Sequence, residues 1–321
     1  MKIKLKGELN VYKLFEKHGT LGLSLVNVAV GYDGKLYFLF SSGVPKRISD
    51  DRGSFVNTKA DAEYTAVVVT PDWKTGEILE TARLNLGRHA MNFHFLRPYP
   101  NDIFLLLGAR CRYHGEDGEP EKNGVFVDAE GEVIDERCFG DGIRDCVVRE
   151  DGTIFVSYFD EGIFGNYGWD DPIGYSGVCA FDEEAEVIWR ADDDICDCYA
   201  MYLEDNGDIW YYYYSDFKLV RGNPSKLWYG KSFDPGISGA RFIAVCGNGS
   251  KLVINGGYYA RREHYMAFTF DGDDLKSEGE VEFTAESGNV PPVNFITGCA
   301  SKAIAQTQDD LIRFLDFSEL N

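Results

Sequence analysis

Residues 200–214, AMYLEDNGDIWYYYY, carry the phrase that decides the fold: an apolar strand, a turn of Glu, Asp, Asn and Gly, then a strand dense in aromatic rings. Asn and Gly tolerate the backbone angles of a tight reversal, so the phrase reads as a two-stranded antiparallel hairpin. It recurs. NVAVGYDGKLYFLFS begins at Asn27, FLRPYPNDIFLLLG at Phe95, CVVREDGTIFVSYF at Cys146 and IAVCGNGSKLVING at Ile243. A degraded sixth copy, ASKAIAQTQDDLIRFLDF, begins at Ala300.

The turns fall near positions 34, 102, 152, 207, 249 and 301, so successive copies are 68, 50, 55, 42 and 52 residues apart. That interval suits a four-stranded propeller blade with loops of variable length. A second phrase supplies the outer two strands of each blade: VVVTPDWKTGEIL, VFVDAEGEVI, VCAFDEEAEVIW and AFTFDGDDLKSEGEVEF. Blade four is the weakest match, its FKLVRGNPSKLWYGKSF predicting short outer strands interrupted by GNP. The sixth copy lacks a fourth strand, and segment 5–15 is expected to supply it, because a ring joined from both ends leaves no unpaired edge. The expectation is an all-β, six-bladed β-propeller forming one domain over residues 1–321. A sandwich or an open repeat array is the structural alternative.

Composition agrees with strands. Aromatic residues make up 14% of the chain and glycines number 35, the pairing expected of sheets packed face to face through tight turns. The lysine-studded first residues contain no apolar block, so neither signal peptide nor membrane anchor is expected. The eight cysteines lie mostly in apolar stretches without a CxxC pair, and read as reduced core thiols of a cytoplasmic protein. With 53 acidic against 32 basic side chains the net charge is −21, which repels nucleic acid and anionic membrane and favours cationic partners.

The stretch SYFDEGIFGNYGW (157–169), with GDGIRDC before it and DCYAMYLEDNGDIWYYYYSDFKLVR after it, resembles an uncharacterised group of bacterial six-bladed propeller proteins. The resemblance implies the fold and transfers no activity. The wider six-bladed class includes metal-dependent lactonases and esterases, but their ligand sets have no residue-by-residue match here.

In a propeller the loops joining strands B to C and D to A share one face. The A-to-B turns are short, whereas the connections 42–62, 109–124, 160–174 and 256–264 are long or chemically unusual, which places any binding site on the B–C loop face. Candidate ligand-binding residues there are Arg110, Arg112, Asp160, Glu161, Asn166, Trp169, Tyr258 and Arg261, with Lys46, Arg47 and Arg52 in the first loop. Arginines kept together in an acidic protein point to carboxylate or phosphate recognition, against the plainer reading of rim ion pairs. The glycines of DEGIFGNYGW would let that loop fold inward, either presenting Asp160 and Glu161 to the channel or plugging it.

Counting nine residues back from the start of each strand B gives Asn27, His94 and Asp145, with Asp197 and Arg241 near the same level in blades four and five. Asn27, His94, Asp145 and Asp197 are therefore candidate ligands of a divalent cation at the channel mouth, the one cofactor the sequence raises, and Arg241 is a candidate ligand-binding residue for a small polar molecule there. Two functions follow. One is a binding or interaction propeller for a small polar molecule or a cationic protein, a basic toxin included. The other is a metal-dependent hydrolase or lactonase. No GxSxG, HExxH, P-loop or dinucleotide fingerprint is present. Asp192–Asp194 beside Cys196 and Cys198 mix hard and soft ligands at a spacing no common metal site uses. Asn248, in an NGS triplet, reads as a turn.

Overall fold

Each hairpin phrase forms the two inner strands of a blade. The computed structural model describes residues 1–320 except 45, 46, 51, 52, 116, 117, 225–229, 248 and 287. Blade 1 is Ser24–Val30, Leu36–Ser41, Lys59–Pro71 and Ile78–Met91; blade 2 is Phe95–Tyr99, Ile103–Leu107, Gly124–Val127 and Val133–Arg137. Blade 3 is Ile143–Val148, Ile154–Tyr158, Val178–Phe181 and Val187–Arg190; blade 4 is Asp197–Leu203, Ile209–Tyr214, Leu219–Gly222 and Lys231–Phe233. Blade 5 is Ile243–Cys246, Lys251–Asn255, Tyr265–Asp271 and Asp274–Glu280. Every pairing within a blade is antiparallel, the innermost strands of blades 1 to 5 touch in succession, and that of blade 6 touches that of blade 1.

Blade 6 joins the two ends of the chain. Val293–Cys299, Lys302–Thr307 and Leu311–Asp316 come from the C-terminal side, and Lys6–Asn10 adds the fourth strand against Leu311–Asp316. The expected closing segment 5–15 is shorter as a strand. Asn10 stops it, its side chain accepting the Lys13 N–H at 3.0 Å and so capping the helix Val11–Lys17. That helix buries Leu14 and Phe15, the phenyl ring meeting Phe38 and Phe40 edge-on at 5.5 and 4.9 Å. Ahead of it, Lys2–Lys4 runs parallel to Glu282–Ala285, tying the first residues to the segment that leaves blade 5.

The strand Ile209–Tyr214 shows how alternation builds the core. Tyr211 and Tyr213 pack with Cys198, Val220 and Trp189 on the blade 3 side, while Trp210 and Tyr212 join Phe233, Ile243 and Leu252 toward blade 5. Tyr214 leaves the core and is 44% exposed on the B–C loop face. Asp193 accepts the Tyr211 hydroxyl at 2.5 Å, which gives that acidic triplet a structural use. Blade 4 has the short outer strands its sequence implied, of four and three residues. All eight cysteines are free thiols. Among the described residues no helix is long and apolar enough to cross a membrane.

Candidate functional site at the channel mouth

All six inner strands bring residues to a cavity of about 340 Å³ at the B–C loop end of the channel. Asn27, Asp145, Asp197 and Arg241, aligned by counting in the sequence, all line it. Its centre is a residue the counting passes over, Arg97 on the inner strand of blade 2. That guanidinium is 7% exposed and joins three blades: it donates to Asn27 Oδ1 at 3.0 Å, to Asp145 Oδ1 at 2.7 Å and to the Cys146 carbonyl at 2.6 Å. Its remaining donation goes to the Leu96 carbonyl at 2.8 Å. A divalent cation on Asn27 and Asp145 would have to displace this guanidinium, and no group of three or more His, Cys, Asp or Glu among the described residues is gathered as a metal would require.

His94 lies outside the cavity lining. The A-to-B turn of blade 2 is shorter, with Tyr99 facing Ile103 directly across residues 100–102, where Val30 faces Leu36 and Val148 faces Ile154 across residues 31–35 and 149–153. A fixed count of nine therefore overshoots, and Phe95 and Arg97 face the channel instead. The His94 ring accepts the Ala109 N–H at 3.0 Å, and burial lowers its pKa, so it is a neutral structural imidazole at pH 7.

A second ion pair sits at the rim. Arg144 donates to both oxygens of Asp197 at 3.0 and 3.1 Å, linking blades 3 and 4. Burial nonetheless raises the pKa of Asp197, and that of Asp145, above the ordinary carboxylate value. Asp160, exposed at the start of the short helix Asp160–Phe164, lies close enough to push Asp197 in the same direction.

The other loop residues knit blades 2 and 3 together. Arg110 donates to Asp141 Oδ2 at 2.8 Å and reaches Glu161 Oε2 at 2.5 Å, while its face stacks on Tyr167 at 4.2 Å. Asn166 donates to the same Glu161 oxygen at 2.6 Å, and the indole of buried Trp169 donates to the Cys111 carbonyl at 2.8 Å. Arg112 lies over Tyr167 at 5.1 Å, its N–H given to Glu121. The loops approach backbone to backbone, since a Cβ on Gly142 would sit 2.2 Å from the Gly162 nitrogen. Arg110, Glu161, Asn166 and Trp169 are thus brought together as a locked wall, with their polar groups turned on one another.

Burial holds Asp141 up at about 6 even with Arg110 beside it. The Arg110→Ala variant leaves that carboxylate buried without its cation, and a loss of about 3–5 kcal/mol is expected in chemical denaturation. Adding Asp141→Asn should recover part of it.

Tyr258 and Arg261 stand apart from that wall, on the loop of blade 5. Tyr258 is 49% exposed and Tyr259 95%; Tyr258 packs edge-on against Phe217 at 5.9 Å and Tyr199 at 6.1 Å, and Tyr199 stacks on Tyr214 at 6.3 Å. These rings form a ridge from the cavity edge to solvent. Arg261 is held only loosely, 3.7 Å from Glu263, and Arg262 is exposed. Lys46 and Arg52 of the first loop lie outside the described residues, as does Asn248, and Arg47 is described in its backbone alone. The ridge was hard to read in sequence because its rings come from three separate strands and loops, although YYYYSDF and GGYYARR are its signals.

The geometry defines a class: a six-bladed β-propeller whose polar channel mouth is flanked by an aromatic ridge. No family model matches the chain, and no curated protein matches it. Among solved structures 430 chains match it, and a shared fold does not by itself carry an activity. One of them, in the crystal structure of the mitotic checkpoint complex, is 8% identical with a TM-score of 0.50, the match covering 93% of each chain. At that identity the likeness shows the fold alone. The resemblance to a bacterial group of propellers rests on the sequence phrases.

Proposed function

We propose that this propeller is an interaction protein that holds a partner protein on its B–C loop face, anchored by the tyrosine ridge. The observation that carries the reading is the contiguous set Tyr214, Tyr199, Tyr258 and Tyr259 beside Arg261 and Arg262, with Tyr259 95% exposed. Tyrosine and arginine dominate binding hot spots because each buries a large rigid surface and still offers hydrogen bonds. A ring so exposed, supported underneath by other rings, gains most by being covered.

The net charge of −21 favours cationic partners at long range, and a cytoplasmic setting accords with eight free thiols. Contact is decided within about 10 Å by screening, and there Arg261 and Arg262 favour a segment carrying carboxylates and a flat apolar face. The hydrolase alternative needs a cation in the place that Arg97 takes.

Panning a phage-displayed random peptide library on the purified chain tests this. Enrichment of sequences combining acidic and aromatic residues is expected, with binding about tenfold or more weaker to the Tyr258→Ala/Tyr259→Ala variant. Enrichment of basic peptides, or retention unchanged in that variant, would overturn the reading.

A further inference from the structure

The inner channel mouth has a chemistry separate from the ridge. Five charged side chains line it, Arg97, Arg144 and Arg241 against Asp145 and Asp197. Two ion pairs, Arg97–Asp145 and Arg144–Asp197, use four of them. Arg241, exposed at the cavity edge, makes no side-chain hydrogen bond, ion pair or ring contact among the described residues, although its charge lies close enough to act on Asp197. Its position is nonetheless built. Asn255 Oδ1 accepts both the Arg241 N–H at 2.6 Å and the Phe242 N–H at 3.0 Å, fixing the backbone where the arginine leaves the inner strand of blade 5.

From this we infer that the channel mouth binds a small monocarboxylate with a flat apolar body, its carboxylate paired with Arg241. Three arginines against two carboxylates leave the lining one net positive charge, which matches one negative charge. A dianion such as phosphate would bring a second charge toward Asp145 and Asp197 with no cation left to meet it, and like charges at close range repel. The apolar body follows from the walls, where Phe95, Phe242, Phe295 and Met201 supply surface and Phe295 is left 47% exposed. A volume of about 340 Å³ falls at the lower end of the range of small-ligand pockets, roughly 300–1,000 Å³. Guanidinium takes a carboxylate through two parallel N–H donations, which gives orientation as well as attraction. The inference does not depend on the ridge as a docking surface.

Calorimetric titration of the full chain with 3-phenylpropionate, 2-phenylethylamine and inorganic phosphate tests it. Saturable binding of the acid alone is expected. Arg241→Gln should weaken it roughly ten- to hundredfold, the scale of one charge-assisted hydrogen-bonded contact, and Phe295→Ala should weaken it less. The Tyr259→Ala variant, altered at a 95% exposed ring outside the cavity lining, should bind the acid as the parent does while losing partner peptides, which separates failure here from failure of the partner-binding reading. An independent readout is the Arg241 side-chain Nε–H resonance of the unaltered chain, expected to move on adding the acid. Absence of saturable acid binding, equal affinity in Arg241→Gln, preference for the amine or for phosphate, or a still Arg241 resonance would each overturn the inference.

Discussion

Deleting residues 1–10 is expected to leave a chain that aggregates or fails to fold. These residues supply the outer strand of blade 6, with Lys6, Leu9 and Asn10 opposite Phe314, Ile312 and Leu311. They also bury Ile3, Leu5 and Leu9 at 2, 1 and 7% exposure. Burying an aliphatic side chain contributes about 1.5–3 kcal/mol, so three such residues together contribute about 5–9 kcal/mol, comparable with the whole net stability of a typical protein, about 5–15 kcal/mol. Deletion also removes Glu8, which accepts from the buried Arg313 at 2.9 Å, and leaves the Leu311–Asp316 edge open to pairing with other chains. Size-exclusion chromatography and calorimetry check it. A monomer that melts at the parent temperature would mean that the ring does not depend on its N-terminal strand. The single variant Leu9→Ala should cost about 2–5 kcal/mol by leaving a cavity.

The second large effect is expected at Arg97, where one guanidinium holds three blades. Arg97→Met removes the cation and leaves Asp145, whose side chain is 37% exposed, without its partner, a change expected to cost about 1–3 kcal/mol, below the range for a fully buried pair because solvent screens the remaining charge. The pH dependence has a definite sign. Burial already raises the pKa of Asp145 above its unfolded value, so the folded state binds the proton more readily and stability falls as pH rises through that window. Loss of Arg97 raises this pKa further. The deficit of the variant should therefore be largest near neutral pH and shrink as the pH falls toward the unfolded carboxylate value of about 4. Urea denaturation at several pH values measures it. The double variant Arg97→Met/Asp145→Asn should recover part of the loss, since it removes the unpaired charge. A deficit independent of pH, or no recovery in the double variant, would assign Arg97 a packing role only.

How much of the site was legible in sequence varied with the distance over which its parts interact. Asn27, Asp145, Asp197 and Arg241 could be aligned because each sits a short count from a recognisable turn, and a hairpin carries its own register. His94 was misaligned by a turn that is two residues shorter in blade 2. Arg97 was passed over although it stands out as a lone cation in FLRPY, because inner-strand charges become meaningful only once partners from blades 1 and 3 are known. The Arg110–Asp141–Glu161 group joins residues up to 51 positions apart. Nothing in its separate loops shows that these charges face one another.

From the sequence alone came the blades, their number and their closure through the N-terminal strand, because strand alternation and turn chemistry act between neighbours a few residues apart and repeat with each blade. Only the tertiary structure decided which charges neutralise each other, that Arg110 and Glu161 form a wall, and that Arg241 is left facing the cavity. Those outcomes depend on distances of a few ångströms between side chains from different blades, and Coulombic and hydrogen-bonding energies are set by such distances.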